Sequence, residues 1–502
     1  MIIIDDLRPA LGAFNTSYMN TPNIDQLASQ STLYNRTYAQ QALCGPSRTS
    51  FLTGRRPDSI KLYDVHSYWR RAAGNFTTLP QYFKEKGYHT LSIGKIFHPG
   101  IVSNHSDDCP YSWSEKPYHP PTLKYRMSKV CPTKWGKRMN IVCPVDVESQ
   151  PGKSLPDIEI ADYSVRFLNN YKKEKPFFMA VGFHKPHIPL KFPKEYLDLY
   201  PFYRIPKLKD ATKPEKLPLP AWNPWNDLRL RDDIQQLNLT FPFEEIPLNY
   251  RQKIRQSYFA STSYMDSQVG RVLSALTENG FAENTVILFM SDHGWSLGEH
   301  GEWSKFSNFE VSTRVPLLLH LPSEGSFKFN FVDALKTPNR LTYTPKRVSN
   351  ELVELVDVFP TLVDVVGLEP LRRCREGHFE KVCTEGLSLL KRQTMNKIAA
   401  FSQYPRPSIY PRFDSDQPKL RYIRIMGYSV RTAKYRYTEW VGFNPLSFKV
   451  DWTRVYGREL YIHSNNDDSE DCNKAYDEES ELIMLQLSNL LKCGYRCSIR
   501  PY

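Results

Sequence analysis

Val286-Ile287-Leu288-Phe289-Met290-Ser291-Asp292-His293-Gly294 reads as a strand, apolar on both faces, that runs into a carboxylate, an imidazole and a turn-forming glycine. A strand without polar alternation belongs in the middle of a sheet covered by helices on both sides. The chain opens in the same way, with Met1-Ile2-Ile3-Ile4 leading into Asp5-Asp6. Thr90–Ile93, Phe177–Val181 and Leu317–Leu321 are further apolar runs of strand length. Helical patterns fall between them. Thr78 caps one that has Pro80 near its start and Gly87 after its end. Asp157 to Tyr171 and Tyr258 to Leu276 are amphipathic, and Pro360 opens another helix that ends before Gly367. This alternation predicts an α/β fold with a large mixed central sheet flanked by helices.

Pro99 to Pro151 and Phe192 to Tyr250 are rich in proline and aromatics, and are expected as long ordered surface loops. The pattern changes near Gln393–Lys397. Ile423–Met426, Tyr428–Thr432, Tyr435–Val441 and Glu459–Ile462 alternate with turn residues, and Glu478 to Leu491 is a final helix. A catalytic domain over 1–395 and a smaller α+β domain with an antiparallel sheet over 396–502 are expected.

The 502 residues carry 66 Lys+Arg against 54 Asp+Glu, a net charge of +12. That excess favours an anionic partner. No zinc-finger spacing, RNA-binding aromatic motif or basic heptad region points to nucleic acid. No apolar run approaches the ~18 residues of a transmembrane helix. The opening Met1-Ile2-Ile3-Ile4-Asp5 is no secretory signal, and a strand start and leader peptide are expected to be missing before it. An oxidising compartment is argued instead by the nine cysteines and by the sequons at Asn15, Asn35, Asn75, Asn104 and Asn238. Cys131 with Cys143 and Cys374 with Cys383 are close enough in sequence for local disulfides. Cys109, Cys472, Cys493 and Cys497 have no assignable partners, and Cys493-x-x-x-Cys497 lacks the second pair that a zinc site needs.

Carboxylates at the carboxyl ends of strands in an open α/β sheet sit where ligands bind. Asp5, Asp6, Asp292 and the His293 imidazole, with an oxygen at position 44, suit one hard divalent cation, Ca²⁺ or Mg²⁺, rather than zinc. An Asp pair after a strand can equally be a helix cap; the like placement of Asp292-His293 argues for metal. Two more strand ends carry Lys95 with His98, and His184-Lys185-Pro186-His187. Lone histidines there would be ordinary packed residues. Beside the acids they suit proton transfer, and Lys95 and Lys305 suit an anion.

Cys44-Gly45-Pro46-Ser47-Arg48, running into Thr49-Ser50-Phe51-Leu52-Thr53-Gly54-Arg55, completes the set. These residues, with Pro22 to Ala28, Gly94 to Gly100, His184 to Pro189, Ser291 to Trp303 and Ser402 to Ser408, resemble the type I sulfatases of the alkaline-phosphatase-like superfamily. The resemblance implies that Cys44 is oxidised to formylglycine by a formylglycine-generating enzyme and that its hydrate attacks sulfur. It implies that Asp5, Asp6, Asp292, His293 and modified residue 44 bind one Ca²⁺. Arg48 would hold the hydrate, His98 would act as base on its second hydroxyl, and His187 would protonate the leaving oxygen. Lys95 and Lys305 would neutralise sulfate, and Trp295 and Leu297 would shape the sugar pocket. The implied substrate is a 2-O-sulfated terminal iduronate of heparan or dermatan sulfate, in the lysosome or after secretion. Two other readings stand beside it. One is a phosphonate or phosphodiester hydrolase of the same superfamily, and the other is a non-catalytic glycosaminoglycan-binding protein.

Overall fold

A computed structural model describes the chain except residues 173, 209–211, 323–326, 338–342, 394, 465–468 and 502. Position 394, inside the compositional change at Gln393–Lys397, therefore lies outside the described residues.

The central sheet has eight strands: β1 (Ile2–Ile4), β2 (Thr32–Tyr38), β3 (His89–Gly94), β4 (Phe177–Phe183), β5 (Ile287–Ser291), β6 (Arg314–Val315), β7 (Leu317–His320) and β8 (Arg347–Glu354). Their order is β6-β2-β7-β5-β1-β4-β3, with β8 also on β2. β3, β4, β1 and β5 run parallel, while β7 is antiparallel to β5 and β2. The mixed sheet matches the expected class. Helices cover both faces and bury two separate apolar layers. Ile2, Ile4, Ile93 and Phe289 face one, and Ile3, Ala180, Leu288 and Met290 face the other. That division is the physical reason β1 and β5 lack polar alternation.

The helix of the Cys44 motif, α1, spans Cys44–Thr53. The Thr78-capped helix is α2 (Leu79–Glu85), where the Thr78 side chain accepts from the Gln81 N–H. α3 (Pro156–Asn170) and α4 (Leu248–Glu278) are the amphipathic pair, α4 starting ten residues before its expected Tyr258. α5 (Val358–Val365) begins two residues before Pro360. Proline is tolerated there because first-turn N–H groups have no intrahelical partner.

The smaller sheet is antiparallel: β9 (Ala400–Arg406), β10 (Ile425–Arg431), β11 (Tyr435–Asn444) and β12 (Lys449–Ile462) in that order, followed by helix α6 (Glu481–Cys493). The expected pair Ile423–Met426 and Tyr428–Thr432 is a single strand, β10. Gly427 between them is not a turn, since a Cβ there would collide with the Trp440 ring across the ladder.

The stretches 99–151 and 192–250 are less superficial than expected. Ile141, Cys143, Phe192 and Trp225 are buried in one core cluster with Tyr258 and Trp295. Cys131–Cys143 and Cys374–Cys383 are disulfides with Cα atoms 5.0 and 4.9 Å apart, and Cys493 pairs with Cys497. Asn15, Asn75, Asn104 and Asn238 are exposed. Asn35 is half-buried, its Nδ2 donating to Asn350 Oδ1 at 3.0 Å.

Candidate active site

Because β3, β4, β1 and β5 are parallel, their carboxyl ends share one edge. Lys95 follows β3, His184 to His187 follow β4, Asp5-Asp6 follow β1, and Asp292-His293 follow β5. Asp6 takes a left-handed φ of 62°, and the Tyr258 hydroxyl fixes it by donating to its carbonyl at 2.7 Å. The turn after β5 needs Gly294, because a Cβ there would run into the Val311 carbonyl.

α1 brings Cys44 to this edge at its first residue. The Cys44 thiol donates to Asp5 Oδ1 at 3.3 Å, lies 3.2 Å from His293 Nε2 and accepts from Lys305 Nζ at 3.2 Å. Arg48, one turn on, donates from Nε to Asp292 Oδ2 at 2.8 Å and from Nη1 to the Lys95 carbonyl. Lys95 Nζ donates to Asp5 Oδ2 at 2.5 Å, and Lys305 Nζ to Asp6 Oδ1 at 2.6 Å. Asp5, Asp6, Arg48, Asp292 and His293 are all 0% exposed, so these charges meet without water between them.

Burial and the neighbouring Asp5 push the Cys44 thiol up to about 12. An unmodified Cys44 is therefore a neutral thiol, neither a nucleophile nor a good metal ligand. Burial opposes ionisation of Asp5, yet Lys95, His187 and Arg48 together hold it well below the usual carboxylate range. Burial raises Asp6 to about 6 despite Lys305. Asp6 Oδ2 is a buried acceptor with no hydrogen bond, and His187 Nε2 stands 3.9 Å from it. Ligand atoms of Asp5, Cys44, Asp292 and His293 lie within 4.8 Å of one another, as do those of Asp5, Asp6, Cys44 and His187. Three carboxylates, one imidazole and an orphaned carboxylate oxygen fit a hard divalent cation.

Above this cluster opens a cleft of about 380 Å³, lined by Cys44, Lys95, His98, His187 and Lys305. Burial, with Lys95 nearby, holds His98 well below its ordinary value; burial and Lys305 do the same to His187. Both imidazoles are thus neutral in the free protein. His187 Nδ1 lies 2.7 Å from the Ile188 carbonyl and donates to it, which leaves Nε2 for exchange. A larger apolar cavity lies at the opposite, amino ends of β1 and β5, far from this chemistry.

Every catalytic and metal candidate from the sequence lies at this edge or lines its cleft. Trp295 and Leu297 do not. Both are buried at 0% and 1% exposure, with Trp295 stacked on Tyr258 at a 5.5 Å centroid distance, so neither contributes to the cleft wall. Trp295 and Leu297, two residues apart across Ser296, both pack into the core cluster that holds Tyr258. Sequence reasoning missed Asp157, which accepts from the His184 and Lys185 N–H groups at 2.8 and 2.9 Å and shapes the β4 loop. It also missed Asp227 and Arg231, which reach the cleft from the 192–250 stretch. Asp157 was read only as the start of a helix, and nothing local marks the other two.

The sulfatase family model matches residues 1–368. This chain belongs to the sulfatase family. It is 50% identical over 485 residues to iduronate 2-sulfatase of Homo sapiens, covering 92% of this chain and 88% of that protein. A sulfatase of Formosa agariphila is 31% identical over 392 residues, covering 74% and 69%. Among solved structures, a 2-O GAG sulfatase superposes with a TM-score of 0.66 at 20% identity, covering 99% of this chain and 91% of that one. The phosphonate monoester hydrolase of Agrobacterium radiobacter gives 0.68 at 18% identity, covering 99% and 94%. These two likenesses establish the fold of the present sulfatase: the alkaline-phosphatase-like arrangement. Among its described residues, no helix is long and apolar enough to cross a membrane.

Proposed function

We propose that this sulfatase removes the 2-O-sulfate of a terminal iduronate in heparan and dermatan sulfate, with Cys44 converted to formylglycine and one Ca²⁺ held by Asp5, Asp6, Asp292, His293 and residue 44. The observation that carries the chemistry is the convergence of Asp5, His293 and Lys305 on the Cys44 sulfur within 3.3 Å. The substrate rests on the name of the 50% identical relative. When present, the cation and the hydrated aldehyde supply a polarised oxygen nucleophile whose second hydroxyl lets the sulfate be released.

The chain's own residues do the rest. Lys95 and Lys305 neutralise the sulfate oxygens, which otherwise repel an oxygen nucleophile. Arg48 locks Asp292 and the β3 end beneath residue 44. His98, held neutral by burial, is the base of the cleft. His187 donates from Nδ1 to Ile188, so its Nε2 is the atom that carries a proton to the leaving oxygen. The sulfate's negative charge raises the pKa of that imidazole on binding.

Cys44 is 3% exposed, so a formylglycine-generating enzyme must reach it before this domain closes. The disulfides and exposed sequons fit a secretory route to the lysosome. The catalytic unit is assigned to residues 1–395 and the α+β unit to 396–502.

The test is the mass of the residue-44 peptide from secreted protein, measured beside sulfate release from a 2-sulfated iduronate disaccharide at acid pH. Formylglycine with release supports the reading. Preference for a matched phosphate or phosphonate ester would move the chain to the hydrolases that share this fold. An intact cysteine without activity would favour a glycosaminoglycan-binding role.

A further inference from the structure

The cleft contains a guanidinium with nothing to hold. Arg231 is 4% exposed and lines the cleft wall, yet its Nε and Nη1 are buried without a hydrogen-bond partner. Its Nη2 meets only the Met127 sulfur at 3.7 Å, across the cleft mouth from the 99–151 stretch. No ion pair to Arg231 forms among the described residues. The acids near it are already engaged. Asp227 accepts from Ser304 Oγ at 2.7 Å and from the Leu228 N–H at 2.9 Å. Asp233 accepts from the Ile141 and Val142 N–H groups and from the Tyr250 hydroxyl. A buried guanidinium left unpaired is costly, and Arg48, the buried arginine beneath the same cleft, has both a carboxylate and a carbonyl against it.

Arg231 is also well placed. Asp227 lies between it and the sulfate-facing lysine: its carboxylate is bonded to Ser304, the residue before Lys305, and it sits four residues before Arg231. Both cations line the same cleft of about 380 Å³, a volume that admits a sugar residue or two. A 2-sulfated uronate carries its second negative charge, the C6 carboxylate, across the ring from the sulfate. A planar guanidinium matches a carboxylate in bidentate geometry.

We propose that Arg231 is the carboxylate-binding residue of this sulfatase, selecting uronate over neutral sulfated sugars by pairing with the C6 carboxylate while Lys95 and Lys305 hold the sulfate. The inference rests on the uronate reading above and adds the residue that recognises the acid group. Arg126, exposed at the mouth of the same cleft, adds positive charge along the approach.

The experiment compares two substrates on one preparation, a 2-sulfated iduronate disaccharide and its carboxyl-reduced analogue with CH₂OH at C6. Because both are read on the same protein, their kcat/KM ratio is independent of the folded fraction. The wild type is expected to favour the carboxylate form on the order of 10- to 100-fold, the range of a charge-assisted pair in a buried site. Arg231→Gln is expected to erase that preference, bringing the ratio of the two kcat/KM values close to one. Arg231→Lys, which keeps the charge but not the fork, is expected to retain part of it. Equal losses on both substrates, or an unchanged ratio, would overturn the assignment. A wild type that releases sulfate from neither iduronate substrate but does so from another sulfated sugar overturns the uronate reading itself, and Arg231's role with it. Thermal stability is a separate readout. Removing an unpaired buried cation should leave the unfolding temperature of Arg231→Gln unchanged or raised, whereas a structural arginine would lower it.

Discussion

Two buried charge clusters of this protein are built to different rules. At the site, Asp5, Asp6 and Asp292 face Arg48, Lys95 and Lys305, but Asp6 Oδ2 and Arg48 Nη2 make no hydrogen bond. Where the two sheets meet, Glu354 and Asp357 face Arg56 and Lys397, and all four carboxylate oxygens are occupied. Glu354 takes both Arg56 terminal nitrogens at 2.7 Å, Lys397 at 2.8 Å and the Phe401 N–H at 2.8 Å. Asp357 takes Lys397 at 2.6 Å on both oxygens, with the Leu387 and Glu354 N–H groups. Glu354 and Lys397 have wholly buried side chains, and Asp357 is 0% exposed. In the closed cluster the protein meets every carboxylate oxygen and leaves only Arg56 Nε without a partner, whereas the open one leaves the Asp6 Oδ2 acceptor bare beside Cys44 and the cleft, where a cation fits. A bare carboxylate oxygen that faces other ligand atoms, rather than burial or charge count, is what separates these two clusters.

The largest expected effect comes from breaking the open cluster at its centre. Cys44→Ala is expected to lower turnover by on the order of 10⁴-fold or more. It should change the thermal unfolding midpoint little, because a neutral thiol donates and accepts only weak hydrogen bonds. Retained turnover would remove residue 44 from the chemistry. The closed cluster should behave in reverse. Lys397→Met leaves two carboxylates under-paired in a dry interior and is expected to cost about 3–5 kcal/mol in denaturant unfolding. Sulfate release per folded molecule should not change. A loss of activity without a loss of stability would show that this cluster also serves the site.

The open cluster was the more legible of the two in the sequence. Its members follow apolar strands directly, so position along the chain predicts position at the sheet edge: Asp5-Asp6, Lys95, His187 and Asp292-His293 each gave themselves away. The closed cluster was not legible, because Arg56 lies 298 residues before Glu354 and Lys397 lies 43 residues after it, so they meet only through the fold. β2 and β8 were missed for a related reason. Thr32–Tyr38 and Arg347–Glu354 are rich in polar residues, and β8 stays largely exposed along its first half, so neither shows the continuous apolar run of a central strand. Gly427 misled by looking like a turn when it is a space for Trp440. Trp295 misled because a family-like position near the site does not say which way a side chain packs. Arg231 could not have been found at all, since its significance is the partner it lacks.

A third group of buried charges sharpens the comparison through pH. Glu302, Asp416 and Glu459 are buried close enough for Asp416 and Glu459 both to act on Glu302. Burial is the largest cause raising each of them, to about 8, about 8 and about 7, and Asp227 adds to it for Asp416. Each carboxyl is thus held neutral in the folded protein at acid pH. An acid whose folded pKa is raised carries no penalty below its unfolded value near 4. Its penalty grows as pH rises, because the unfolded chain releases a proton that the folded one keeps, and it levels off above the folded pKa. The cleft histidines shift in the opposite sense, and their effect on stability is confined to pH below the ordinary histidine value of about 6.5. Between pH 6.5 and 8, therefore, the raised carboxyls pull stability down as pH rises, while the buried Lys185 amine, lowered to about 8, acts in the opposite sense near the top of that range, so the carboxyl contribution is read from the difference between wild type and a carboxyl variant. The slope is at most about 1.4 kcal/mol per pH unit for each group. Asp416→Asn, which keeps an uncharged acceptor for the Asn226 N–H, should flatten that slope. Urea unfolding of wild type and variant at pH 6.5 and 8 measures it. Equal slopes would mean that Asp416 ionises in the folded protein after all, and that Arg406 rather than burial sets its state.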